Sequence, residues 1–407
     1  MRARRVVITG TGALSPIADS PAGLHAALCA QKSALKPVEL FPVDGLPLLL
    51  AGEIRPFEPR QYLGDRNLRP IDRTARLLLV AAQQALESSG WTAERRKEHE
   101  IGLVLGTVFC SVRTIAEFDR RAVQLGPSYA SPLDFANSVI NAAAGQAAIW
   151  YDLRGVSSTV AAGEASGLLS LAYATDLIRS GRADAVLAGG AEELCYESFI
   201  GCHAAGRLGH GRPVPFDARR DGFALAEGAA LLVLEDAAAA AARGAHVLAE
   251  IRGYGEAFDV TAGDDEASAA FAVVRAAGLA LEDAAVDPDD LDVLSLAANG
   301  GVRSDRAEAL GIGSAFGLEG ARKPTMAIKA MLGEALGASG AFQAISLLGS
   351  FADGVLPGVL GLETTERGFL LTGVQAATRA LKTKPRLGLL HAQAWDGQHV
   401  ALVVEAR

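Results

Sequence analysis

Few side chains in this sequence are placed to do chemistry. Its four cysteines (Cys29, Cys110, Cys195 and Cys202) show neither Cys-x-x-Cys spacing nor a dense framework, which argues against a zinc cluster and suits a reducing compartment. They are expected to be buried small hydrophobes. Seven histidines (His25, His99, His203, His210, His246, His391 and His399) are scattered along the chain, most of them expected on the surface or in loops. Glu164 stands in Val160-Ala-Ala-Gly-Glu-Ala-Ser-Gly-Leu-Leu169, at the start of an apolar segment of helical period. Unpaired N–H groups and the helix dipole favour negative charge at such a place, so Glu164 reads first as a capping or dipole-satisfying carboxylate.

The elements that must position these residues follow an α/β pattern. Short Val/Ile/Leu-rich runs alternate with longer Ala-rich segments of helical period, as in sheets covered on both faces. Strands are predicted over residues 5–9, 101–105, 185–188, 229–234, 247–253, 293–296, 387–391 and 400–403, and helices over 74–89, 166–179, 267–281 and 336–350. The order of elements repeats, which suggests an internal duplication with halves at 1–240 and 241–407. The alanine-rich joint at 236–244 is neither polar nor long enough to be a flexible linker, so the halves are expected to pack as one unit.

With 407 residues, half of them apolar, the chain can build a sizeable core. No run approaches twenty uncharged apolar residues, and the basic start Met1-Arg-Ala-Arg-Arg leads directly into a β-like segment without a secretory cleavage pattern. A cytoplasmic protein is expected. The formal charge of −9 disfavours a general nucleic-acid binder.

Five blocks, in order, resemble the β-ketoacyl synthase branch of the thiolase superfamily. They are Val6-Val-Ile-Thr-Gly-Thr-Gly-Ala-Leu-Ser-Pro16, Asn141-Ala-Ala-Ala-Gly145, Leu153-Arg-Gly-Val-Ser-Ser-Thr159, Ala185-Val-Leu-Ala-Gly-Gly-Ala-Glu192 and Pro215-Phe-Asp-Ala-Arg-Arg-Asp-Gly-Phe-Ala-Leu-Ala-Glu-Gly-Ala229. The resemblance implies a thiolase-like fold, two similar halves in a layered αβαβα arrangement. It also implies the family's chemistry, in which a cysteine at a buried helix N-terminus takes an acyl chain and two histidines promote decarboxylation of malonyl-carrier protein.

Aligned on Ala165-Ser166-Gly167, the sequence has Glu164 where the cysteine belongs. A carboxylate is a poor nucleophile towards a thioester, and its acyl product would be a labile anhydride. Ser295-Leu-Ala-Ala-Asn-Gly-Gly-Val-Arg-Ser-Asp-Arg-Ala-Glu308, anchored on Ser304, Asp305 and Glu308, puts Ala297 at the first histidine. Lys329-Ala-Met-Leu-Gly-Glu334 retains the lysine of the second motif but has Glu334 for its histidine. Ala297 cannot donate a hydrogen bond to a thioester enolate, and an ionised Glu334 would repel it. Trp395, in Ala394-Trp-Asp-Gly-Gln-His399, occupies the gating aromatic position without the flanking glycine pair, and His399 replaces an asparagine. Glu164, Glu334 and Lys329 are expected to converge, so that either Lys329 bridges the two carboxylates or one carboxyl keeps its proton near neutrality.

Loss of the cysteine and both histidines from an intact scaffold resembles the chain length factor, or ketosynthase β subunit, of type II polyketide synthases. The resemblance implies a heterodimer with a catalytic ketosynthase α subunit and inactivity alone. An acyl carrier protein would dock mainly on the partner, and neither cofactor nor metal is implied. The acyl tunnel would be shaped by the segment Gly106-Thr-Val-Phe-Cys-Ser-Val-Arg-Thr-Ile-Ala-Glu-Phe118. If this segment begins a helix, Ser111, Thr114, Ile115 and Phe118 share a face, as tunnel floor or as core packing. Residues 134–144 would lie at the dimer interface. Aromatic-type chain length factors commonly carry glutamine at the position of Glu164, so the product class stays open between aromatic and polyene systems. Two alternatives remain: a malonyl-carrier-protein decarboxylase that supplies primer, and a homodimeric acyl-binding pseudoenzyme.

Overall fold

Side chains on successive strand residues enter two different cores, so both faces of the main sheet are covered. The computed structural model describes residues 4–43, 45–46, 49–320 and 322–407, which leaves residues 1–3 of the basic start outside. Its ten-stranded sheet contains β1 (Val6–Leu14), β2 (Gly102–Gly106), β3 (Ser157–Val160), β4 (Ala185–Glu192) and β5 (Gly228–Asp236), followed by β6 (Ala249–Phe258), β7 (Val293–Ser295), β8 (Thr325–Met326), β9 (Leu387–Gln393) and β10 (Gln398–Ala406). The helices that matter here are α1 (Arg73–Ser89), α2 (Val112–Leu125), α3 (Ser166–Arg179), α4 (Glu266–Ala284), α5 (Val302–Gly320) and α6 (Ser339–Asp353).

Strand order is β8-β7-β9-β10-β6-β1-β5-β4-β2-β3. Outward from the central β1–β6 pair, β1, β5, β4, β2, β3 on one side mirror β6, β10, β9, β7, β8 on the other. On each side the first two pairings are antiparallel and the next two parallel. Helices α1, α2 and α3 occupy the chain positions that α4, α5 and α6 occupy in the second half. The repeated order read from sequence is thus a repeated topology. The seam is a short antiparallel ladder, Val6–Ile251, Val7–Glu250 and Ile8–Ala249.

The layers pack around a central core and two outer ones. In β5, Ala230, Leu232 and Leu234 join the central core with α3 and α6, while Ala229, Leu231 and Val233 face the outer core around α1. Likewise, in β10, Val400, Leu402 and Val404 point to the centre and Ala401 and Val403 to the outer core around α4 and α5. The layers are therefore α, β, α, β, α. The two central helices approach closely because a Cβ on Gly340 would lie 2.7 Å from the backbone nitrogen of Leu168.

All eight predicted strands are present, and α3 has the predicted bounds. The segment predicted as one helix over 336–350 is corrected: Leu336–Ala338 is a 3₁₀ turn, Leu336 has φ +48°, and α6 starts only at Ser339. The Ala-rich joint forms the helix Ala237–Ala242, whose Ala239 amide is capped by Asp236. Among the described residues no helix is long and apolar enough to cross a membrane.

Candidate functional site

Glu164 sits in the turn between β3 and α3. Ser166 ties this turn, its hydroxyl accepting from the Ala162 amide at 2.8 Å and donating to the Gly163 carbonyl at 2.6 Å. Gly163 has φ +51°, and a Cβ there would lie 2.5 Å from Cβ of Ala394, so glycine lets the turn close on the segment that carries Trp395. Glu164 is 5% exposed, and its Oε2 accepts the Trp395 N–H at 3.1 Å. The capping reading is thereby corrected. Ala165 takes the N-cap position with φ −80° and ψ −10°, without a side-chain cap, and Glu164 lies one residue too early to reach the first-turn amides.

Lys329 and Glu334 form a closed pair behind it. Lys329 Nζ lies 2.7 Å from Glu334 Oε2, and both side chains are buried. Glu334 Oε2 also accepts from Asn299 Nδ2 at 2.8 Å, and Oε1 accepts from the Leu336 amide at 3.0 Å and the Ser339 hydroxyl at 2.5 Å. The Glu334 backbone is pinned to the first half, its N–H donating to Ala224 and its carbonyl accepting from Ala226, each at 2.8 Å. Lys329 pairs with Glu334 and not with Glu164.

Ala297 and Asn299 lie on the loop between β7 and α5, which wraps two buried carboxylates. Glu308 accepts the Ala297 amide at 2.8 Å, and Asp305 accepts those of Asn299, Gly300 and Phe216. Burial pushes Asp305 up to about 6. Four of the seven histidines, His99, His203, His210 and His246, are peripheral as expected, and three are buried. His25 packs between α6 and the chain's first helix, beside Asp353, while His391 and His399 are buried on β9 and β10 next to Glu308. Their neighbours lie too far away in sequence for local pattern to reveal them.

Glu164, Ala297, Asn299, Trp395 and His399 line a single cavity of about 390 Å³, whose mouth carries Arg207, Arg303, Asp221 and Asp264. Trp395 is contacted by two side chains, the Phe109 ring centroid lying 6.1 Å and the Arg207 guanidinium 4.8 Å from its ring centroid. Burial first, and the Glu334 charge second, push Glu164 up to about 8. Of the two arrangements expected for this cluster, the retained proton is the one this geometry favours. Between the ordinary 4.5 and about 8 the unfolded chain has released this proton while the folded chain holds it, so stability falls as pH rises through that window. Glu164→Gln should remove this share of the slope in urea unfolding and remove a protonated-carboxyl band from the infrared spectrum at neutral pH. An unchanged spectrum would mean that Glu164 is already ionised.

The predicted tunnel residues lie apart from this cavity. Ser111 is buried and donates to Asp72, the cap of α1. Thr114, Ile115 and Phe118 are only half-buried on α2, which has no fully buried residue, and Phe118 rests on Phe135 with centroids 5.9 Å apart. Neither Ile115 nor Phe118 is thus fully buried within this chain. Sequence reasoning missed Glu192, a buried carboxylate that binds the loop between β2 and α2. It accepts the amides of Val108, Phe109 and Cys110 at 2.6, 2.8 and 2.9 Å, and so sets the position of Phe109 against Trp395.

Comparison with known proteins agrees with this architecture. The family model for the β-ketoacyl synthase N-terminal domain matches residues 3–240, and that for the C-terminal domain matches residues 248–363. The 3-oxoacyl-(acyl-carrier-protein) synthase 2 of Coxiella burnetii is 31% identical over 392 residues, 94% of each chain. The tetracenomycin polyketide synthase ketoacyl synthase beta subunit of Streptomyces glaucescens is 32% identical over 410 aligned positions, 98% of each chain. Among solved structures, the ishigamide ketosynthase/chain length factor superposes over the whole of both chains with a TM-score of 0.92 at 28% identity. With both domain models matched in order and the duplicated five-layer scaffold complete, the chain belongs to the β-ketoacyl synthase family.

Proposed function

We propose that this chain is a chain length factor, a non-catalytic ketosynthase β subunit that pairs with a catalytic β-ketoacyl-carrier-protein synthase and shapes its acyl tunnel in type II polyketide or polyene biosynthesis. The observation that carries this reading is the set of groups at the three reaction positions. Glu164 is a buried acid rather than a thiolate, Ala297 has no side-chain donor, and both oxygens of Glu334 are occupied by Lys329, Asn299, Ser339 and Leu336. A carboxyl is a weak nucleophile towards a thioester, and an enolate needs donors where this site has a methyl group and a saturated carboxylate. The resemblance to a tetracenomycin beta subunit and to an ishigamide ketosynthase/chain length factor supports the same role.

Pairing is supported by the surface between β2 and β3. Val123, Leu125, Tyr129, Phe135, Val139 and Ile149 are exposed there, and β3 is the terminal strand of the sheet with one edge unpaired. Of residues 134–144, the stretch 134–141 apart from buried Asn137 contributes to this surface while Ala142, Ala143 and Ala144 are buried beneath it, and half-buried Thr114, Ile115 and Phe118 adjoin it on α2, where a second subunit would complete a tunnel wall. An acyl carrier protein would dock mainly on the partner, consistent with this chain's formal charge of −9.

The test is to express the chain alone and together with the ketosynthase encoded beside it, following malonyl-carrier-protein consumption and acyl products by mass spectrometry. Silence alone and elongation by the co-purified pair are expected, with Phe118→Ala lengthening the products. Turnover by the chain alone would overturn the non-catalytic assignment, and an unchanged product distribution would remove Phe118 from the tunnel.

A further inference from the structure

Lost condensation chemistry leaves two buried histidines without a task, and they lie end to end beside the cavity. Glu308 Oε1 faces His391 Nδ1 at 2.5 Å, and His391 Nε2 faces His399 Nδ1 at 3.4 Å. The ring planes differ by 24°, and the centroids, at 5.6 Å, are much farther apart than the facing nitrogens. The rings therefore meet edge to edge, as a hydrogen bond requires. A carboxylate only accepts, so His391 Nδ1 carries that ring's proton. Its Nε2 then accepts, and the proton of His399 sits on Nδ1. His399 Nε2 is left as a lone pair on a residue that lines the cavity. Burial first, and His391 second, push His399 down to about 3, which keeps the ring neutral at physiological pH.

Glu164 supplies the complementary group. Its Oε2 accepts from Trp395, which leaves Oε1 to carry the proton. The arginines of the lining are already engaged, Arg207 over the Trp395 ring and Arg303 with Asp264 at 2.9 Å. We propose that the cavity receives an uncharged group with an acceptor and a donor side by side, a primary amide above all, its carbonyl bound by Glu164 and its N–H by His399 Nε2, and that it rejects carboxylates. This holds whether or not the chain serves as a chain length factor.

To test it, the full chain is titrated with hexanamide, with methyl pentanoate, which lacks the N–H, and with hexanoate, which is anionic. Tryptophan fluorescence and ¹⁵N-histidine resonances are followed. The amide should bind at least about tenfold more tightly than either analogue, because buried polar groups left unpaired penalise the wrong ligand. Free His399 Nε2 should resonate as an unprotonated nitrogen and move on amide binding, and His399→Phe should erase the preference for amide over ester. A protonated Nε2 in the free protein, hexanoate or ester binding equal to the amide, or no amide binding in the millimolar range would overturn the proposal. The nitrogen spectra need no variant, so they decide the matter even if His399→Phe does not fold.

Discussion

Lys329→Met is expected to lower the unfolding free energy by about 3–5 kcal/mol, the usual cost of removing one partner from a buried ion pair. Lys329 is 3% exposed and Glu334 fully buried, and the ammonium lies 2.7 Å from Oε2. The neutral donors that remain, Asn299, Ser339 and the Leu336 amide, solvate Glu334 without neutralising it. Urea unfolding should therefore show an earlier midpoint at unchanged slope. Lys329→Met combined with Glu334→Gln should recover most of the loss, because the amide oxygen keeps acceptor capacity without charge. A loss below about 1 kcal/mol, the range of solvated surface pairs, would show that water reaches the pair.

An effect of similar size is expected for Glu192→Ala. Its carboxylate accepts from Val108, Phe109 and Cys110 and from the Thr107 hydroxyl at 3.2 Å, all on one loop. Each buried donor left without a partner costs about 1–3 kcal/mol, so a loss above about 4 kcal/mol is expected, in the range reserved for broken buried networks. The loop should loosen as well, freeing Phe109 from Trp395 and shifting the tryptophan emission. Full stability with unchanged emission would mean that water replaces the carboxylate at no cost.

Strands were legible wherever both faces are buried. β4 and β5 are near-continuous apolar runs, and the sequence pattern located them with the rest of the inner sheet. β3 was not, because Ser157-Ser-Thr-Val160 is a polar, half-exposed edge, and β8 has only two residues. At the site, Glu164, Ala297 and Trp395 were found from their places in motifs and do line one cavity. The Glu308–His391–His399 series was not found, since Glu308 and His391 are 83 residues apart and meet only when β9 packs against α5. The capping role given to Glu164 failed on a single residue, the helix beginning after Ala165 rather than before it.

The cavity takes Glu164, Arg207 and Asp221 from the strands and loops before the seam, and Ala297, Asn299 and His399 from those after it. Any molecule lodged there bridges the two repeats and is released when they part, so its binding energy is added to the stability of the entire chain. A ligand at a hundred times its dissociation constant would contribute about 2.7 kcal/mol. A compound lodged in this cavity should therefore raise the melting temperature of the entire chain, and a rise that Glu164→Gln or His399→Phe abolishes would place it there.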